Sequence, residues 1–94
     1  MKSKYMGHEN NQTKEAIEEW LISYLAENLE MNQDEIDVDI PFDRYGLDSS
    51  TAIMMTGDLR DFIGFEIDET LPYDYPTIES LSQYLFDAQN NQSK

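Results

Sequence analysis

One segment of this chain constrains the fold more than any other. Ile36, Val38, Ile40 and Phe42 alternate with Asp37, Asp39 and Pro41, the period-two pattern of a β-strand with one face buried. A strand needs a partner, and no second segment in the 94 residues repeats the pattern. Pro41 would also break the hydrogen-bond ladder. The alternation therefore reads as an extended loop that presses every second side chain onto a core made of something else. That core must be helical.

The remaining apolar residues agree. Over 13–29, Ile17, Leu21, Tyr24 and Leu25 recur at helical spacing with Trp20 beside them, while Glu15, Glu18, Glu19 and Glu27 take the other side. Thr13 is the expected N-cap, and Trp20 and Tyr24 are expected in the core. A second helix is expected over 49–63, with Ala52, Met55, Leu59, Phe62 and Ile63 on one face and Gly64 as its C-terminal cap. Ile53 and Met54 widen that apolar face, so part of this helix is buried on two sides or offered to a partner. Gly57, in mid-helix, marks either close helix packing or room for a partner or bound chain. Pro72 limits 65–76 to a single helical turn, around 68–71 or 73–75. The last helix spans 77–88, capped by Thr77, with Ile78, Leu81, Leu85 and Ala88 inward. The expected fold is all-α: a small four-helix bundle of three main helices and one short one, with a long structured loop between the first two. Residues 13–88 form the domain, and 1–12 and 89–94 are read as flexible polar tails.

Charge narrows the function. The formal net charge is −14, and between Glu15 and Ser93 only Arg44 and Arg60 oppose 19 acids. Such a surface repels phosphate backbones and anionic lipid, which excludes nucleic acid and membrane surfaces as partners. No apolar run is long enough to span a bilayer and no secretory leader is visible, so a cytoplasmic monomer with basic partners is expected. Without cysteine there is no thiolate metal site and no intrinsic thiol nucleophile. The single histidine, His8, lies in the N-terminal tail, so no catalytic residue is expected. A calcium loop starting at Asp37 would place Pro41, Phe42 and Asp48 where an oxygen ligand, glycine and glutamate are required, so no metal is assigned either.

The informative stretch is Gly46-Leu47-Asp48-Ser49-Ser50, where the long loop turns into the second helix. Gly46 permits a tight approach, and Asp48 and Ser49 are both cap-type residues. A hydroxyl at a helix start is also a place where an attached phosphate gains from free backbone N–H groups and the helix dipole.

Ile40-Pro41-Phe42-Asp43-Arg44-Tyr45-Gly46-Leu47-Asp48-Ser49, a helix, and then Tyr73-Asp74-Tyr75-Pro76-Thr77-Ile78-Glu79-Ser80-Leu81 resemble an acyl carrier protein of the polyketide-synthase type. The resemblance runs over about 15–88. It implies that Ser49, directly after the Asp of the motif, receives 4′-phosphopantetheine from CoA through a phosphopantetheinyl transferase. It also implies that the arm's thiol carries acyl groups as thioesters between enzymes of polyketide- or fatty-acid-type biosynthesis. Partners would be acyl-loading and acyl-processing enzymes with basic docking surfaces, of ketosynthase, acyltransferase or AMP-forming ligase type. The residues such partners would read are Asp43, Asp48, Ser50, Met54, Asp58, Asp61, Glu66 and Asp68. Ser50 stands where the family commonly has leucine, and Met54 stands near a frequent acid. The run Thr56-Gly57-Asp58-Leu59 is similar to carriers served by AMP-forming ligases. The alternatives are a peptidyl carrier of a nonribosomal peptide synthetase and a non-enzymatic acidic adaptor that docks its second helix.

Overall fold

The computed structural model describes residues 12–92, with side chains over 12–90. Of the expected tail over 1–12, residues 1–11, with His8, lie outside the described residues, as do 93 and 94. Four helices follow in order: α1 Lys14–Leu29, α2 Ser49–Ile63, the one-turn α3 Leu71–Asp74 and α4 Ile78–Gln92. Short 3₁₀ turns at Gln33–Glu35 and Phe42–Tyr45 punctuate the loop between α1 and α2. The architecture is the all-α bundle expected from the sequence, without a strand among the described residues.

Local chemistry sets the helix ends. Thr13 Oγ1 accepts from Ala16 N at 3.0 Å, the N-cap the sequence announces. α1 ends at Glu30, whose φ of 56° is left-handed without being glycine, and both Glu30 N–H and Met31 N–H donate to Ala26 O. At α4, Ser80 N donates to Thr77 Oγ1 at 3.1 Å while Thr77 N donates to Ser80 Oγ at 3.2 Å, a reciprocal cap with serine in the usual Glu or Gln place. α3 tolerates Pro72 because it lies in the first turn, where its missing N–H has no intrahelical partner to lose.

Helices α1 and α4 pack side by side, and α2 closes the core. Ile17, Leu21, Leu25, Met55, Leu59, Ile63, Ile78, Leu81 and Leu85 are all sealed from solvent. Lys14 Nζ meets Glu79 Oε2 at 2.7 Å across the α1–α4 seam, and that hydrogen bond holds the ammonium pKa above its ordinary value. Trp20 and Tyr24 depart from expectation: they sit half-buried at the rim. Trp20 stacks on Tyr24 at 5.0 Å and on Phe62 at 5.4 Å, so the rings seal the α1–α2 seam while the phenol stays within reach of water.

The alternating loop behaves as a pinned segment. Ile36 and Phe42 are buried and Val38 and Ile40 are partly so. The loop's backbone groups pair with the start of α4: Glu79 N donates to Val38 O at 3.0 Å and Phe42 N to Pro76 O at 2.8 Å. The Tyr45 hydroxyl bridges Asp37, accepting from its N–H at 2.8 Å and donating to its carbonyl at 2.9 Å. This satisfies the polar groups that an unpaired strand would leave open.

α4 runs past residue 88, where the sequence pattern predicts its end. Gln89 is buried, accepts from Gln12 N at 3.0 Å and donates back to Gln12 O. A paired amide can be buried where a lone one could not, which is why a polar sequence continues the helix. Ala88, expected inward, is only partly covered.

One buried group is unpartnered. Ser82 Oγ is sealed in α4 and has no hydrogen-bond partner among the described residues. An unmet buried hydroxyl costs about 1–3 kcal/mol of desolvation, so Ser82→Ala should stabilise the protein by about 1 kcal/mol. A rise in urea midpoint with unchanged slope checks this; an unchanged or lower midpoint contradicts it.

Candidate functional site

The junction from loop to α2 is built from three devices. Gly46 has φ +80°, a left-handed conformation that β-carbon-bearing residues avoid. A Cβ there would meet nothing within 4 Å, so glycine serves the turn and not a close approach, contrary to the sequence expectation. Asp48 is the N-cap, its Oδ1 accepting from Thr51 N at 2.9 Å. That backbone hydrogen bond, with the one to the Thr51 side chain, draws the Asp48 carboxyl below the usual carboxylate range. Ser49 is then the first residue of the helix, exposed, with its hydroxyl outside the core.

The expected reserve of free N–H groups at this helix start is present only in part. Thr51 N is committed to the Asp48 side chain, while Ala52 N makes the ordinary first intrahelical bond to Asp48 O at 2.9 Å. The Ser49 hydroxyl has a partner that no sequence spacing announces. Tyr73 Oη, projecting from α3, donates to Ser49 Oγ at 3.3 Å. Beside them, an apolar pocket of about 210 Å³ opens between the loop, α2 and α3, walled by Phe42, Leu47, Ala52, Pro72 and Tyr73 among others.

The residues expected to serve partner recognition are all exposed, but they are not equivalent. Ser50, Met54, Asp58 and Asp61 follow one another at helical spacing and share the outer face of α2. Met54 is 55% exposed and Ile53 48%, so the widened apolar face is offered to solvent and is not buried on a second side. Asp43 lies on the 3₁₀ turn before the junction, and Glu66 and Asp68 follow α2. Several of these acids already have local work: Asp48 caps α2, Asp68 Oδ1 accepts from Thr70 N at 2.9 Å, and Glu66 faces Arg60 at 3.7 Å.

Gly57 is resolved in favour of space. A Cβ there meets nothing within 4 Å, and the residue lines an open groove of about 430 Å³ with Ile53, Thr56, Arg60 and Ile67. Close helix packing does not explain this glycine.

Asp58 is tied to the first helix. Burial pushes the Tyr24 phenol up from 10.0 to about 12, and its hydrogen bond to Asp58 adds to the shift. The fold thus prefers the neutral phenol, a contribution that is full below about pH 10 and is lost as pH rises toward about 12. In a tyrosinate absorbance titration, one of the six tyrosines should ionise near pH 12, and Tyr24→Phe should remove that step. Persistence of the late step in the variant would contradict the assignment.

Comparison with known proteins places this geometry in context. The family model described as "phosphopantetheine attachment site" matches residues 19–85. An acyl carrier protein, TtuC, of Teredinibacter turnerae is 36% identical over 73 residues, covering 78% of this chain and 84% of the relative. One chain of the phenolphthiocerol/phthiocerol polyketide synthase of Mycobacterium tuberculosis is 31% identical over 74 residues, which span 79% of this chain but 4% of that far longer relative. A free-standing peptidyl carrier protein of Acinetobacter baumannii superposes with a TM-score of 0.77 at 36% identity, over 81% of this chain and 95% of that structure. Among the described residues, no helix is long and apolar enough to cross a membrane.

Proposed function

This chain belongs to the phosphopantetheine-attachment family of carrier proteins, and on that premise we propose that Ser49 is the residue that takes up the group from CoA. The family is non-catalytic, and the covalent 4′-phosphopantetheine supplies the chemistry: a terminal thiol that holds an acyl group as a thioester. The observation that carries the Ser49 reading is the exposed hydroxyl at the first residue of α2, held at the end of a pinned loop. Ser50 is one residue further along and lies on the outer face of the helix with Met54 and Asp58.

In the attachment step the Ser49 oxygen bonds to the phosphorus of the pantetheine phosphate, the pyrophosphate bond of CoA breaks, and adenosine 3′,5′-bisphosphate departs. The seryl proton passes to a base of the transferase. This chain's part is to present the hydroxyl clear of the core on a rigid helix end. Asp48 keeps its charge there because its backbone hydrogen bonds stabilise the carboxylate.

The carrier unit occupies the compact bundle over 12–92 and works in polyketide-type assembly, loaded by an AMP-forming acyl ligase or an acyltransferase. Basic surfaces on the transferase and on the synthase enzymes would meet the outer face of α2, where Met54 supplies apolar contact between Ser50 and Asp58. Attraction of this kind raises encounter rate and fixes orientation more than it adds affinity, as suits a partner that must leave. The covalent arm meanwhile raises the local concentration of cargo at each enzyme.

Incubation with CoA and a broad-specificity phosphopantetheinyl transferase tests the reading. The intact mass should rise by one pantetheine phosphate, after which ligases for fatty, aryl and amino acids reveal the cargo class. No mass gain with several transferases would contradict attachment. Loading by amino acids alone would favour the peptidyl carrier, to which the Acinetobacter likeness points.

A further inference from the structure

The Tyr73 side chain stands where burial alone would not put it. It is 63% exposed, yet it reaches from α3 to the start of α2 to place Oη at 3.3 Å from Ser49 Oγ. Its backbone is fixed by what surrounds it. Leu71 and Pro72, the two residues before it, are buried, and Tyr73 N donates to Thr70 O at 2.9 Å. The hydroxyl pair itself is long for an O–H···O bond and contributes little as it stands.

Resting on the reading that Ser49 carries the phosphodiester, we propose that Tyr73 is the positioning residue for that group, its hydroxyl donating to a non-bridging phosphoryl oxygen and fixing the first segment of the arm toward α3. Esterification removes the seryl proton and leaves Oγ a poor acceptor, while two strong acceptor oxygens appear two bonds further out, on the phosphorus. Tyr73 Oη lies 3.3 Å from Oγ, the atom through which those oxygens are attached. The neutral hydroxyl pair then becomes a charge-assisted bond, which is shorter and about twice as strong as its neutral counterpart. The donor is needed because the helix start is already partly used. Thr51 N, one of the few N–H groups that a helix start leaves free, is spent on Asp48, whose own carboxylate repels a phosphodiester. A phenol from a different element adds a donor without adding charge, and it reads the Ser49 position across a gap of 24 residues in sequence.

The test uses the full chain after modification by a transferase, as wild type, Tyr73→Phe and Tyr75→Phe. Tyr75 stacks on Tyr84 at 4.6 Å and keeps that stack as phenylalanine, so it controls for loss of a nearby phenol. All three proteins should gain the pantetheine mass in full. The ³¹P resonance of Tyr73→Phe should move toward that of the same seryl phosphodiester in the urea-unfolded modified protein and narrow, while that of Tyr75→Phe stays with wild type. In the wild type itself, with no variant required, the Tyr73 ring-carbon resonance next to the hydroxyl should shift on modification. Coincident ³¹P resonances in fully modified wild type and Tyr73→Phe, or an unmoved Tyr73 ring carbon, would overturn the role of Tyr73 alone. Absence of the mass gain in wild type, or its appearance on another residue, would overturn the Ser49 reading beneath it.

Discussion

Ser49→Ala should fold as the wild type does and lose modification completely. The residue is exposed at the first position of α2, and the cap belongs to Asp48 and not to Ser49. Alanine is a good helix former at such a place, and among the described residues the only side-chain bond lost is the long one to Tyr73. Thermal stability should therefore stay within about 0.5 kcal/mol of wild type, the usual range for a surface change away from special features. Intact mass after transferase and CoA should show no gain for Ser49→Ala and a full gain for Ser50→Ala. Because circular dichroism should match in both, loss of modification cannot be assigned to loss of fold. A modified Ser49→Ala, or an unmodified Ser50→Ala, would move the site away from the first residue of the helix.

Leu81→Ala should do the opposite, impairing the fold while leaving Ser49 untouched. Leu81 is fully sealed in the core, on the helix that packs along α1. Truncating a buried leucine removes its transfer energy and leaves a cavity, together about 2–5 kcal/mol. A domain of this length holds only roughly 4–12 kcal/mol in total at ordinary per-residue stability. The thermal midpoint should fall by roughly 10–30 °C, at the several degrees per kcal/mol typical of domains this small. Met54→Ala is the contrast: at 55% exposure it should leave the midpoint nearly unchanged while altering partner engagement. A shift of only a degree or two for Leu81→Ala would mean that α4 is not a structural pillar of the bundle.

The sequence was most legible where both ends of an element carry chemistry of their own. α2 is bounded by Asp48 and Gly64, a cap and a left-handed stop, and the structure places it over the expected residues. The loop was legible by elimination, since a lone alternating run with a proline has nothing to pair with. What escaped depends on contacts between distant residues. Nothing local in the sequence after residue 88 distinguishes a frayed tail from a continuing helix, because the stabilising partner of Gln89 is Gln12 at the other end of the domain. Trp20 scores as core by composition, yet its place at the rim follows from stacking on Phe62 of another helix.

The candidate site divides in the same way. Ser49 stands out through its loop-to-helix setting and its motif, and both are properties of contiguous sequence. Tyr73 does not, because only the fold brings α3 to the start of α2. The two glycines were visible as glycines, but their reasons were not. Gly46 is required by its φ and not by crowding, and Gly57 opens a groove and does not close a helix contact. The acids likewise read as one cluster in the sequence, whereas the structure separates the cap Asp48 and the turn-forming Asp68 from the outer-face Asp61.

The most direct measurement is fragmentation mass spectrometry on the protein isolated from its native host. The expected result is a pantetheine phosphate on Ser49, with or without an acyl group on its thiol, and an unmodified Ser50. A protein that accumulates with Ser49 bare, or that carries the group on another residue, would contradict the carrier role assigned to this serine.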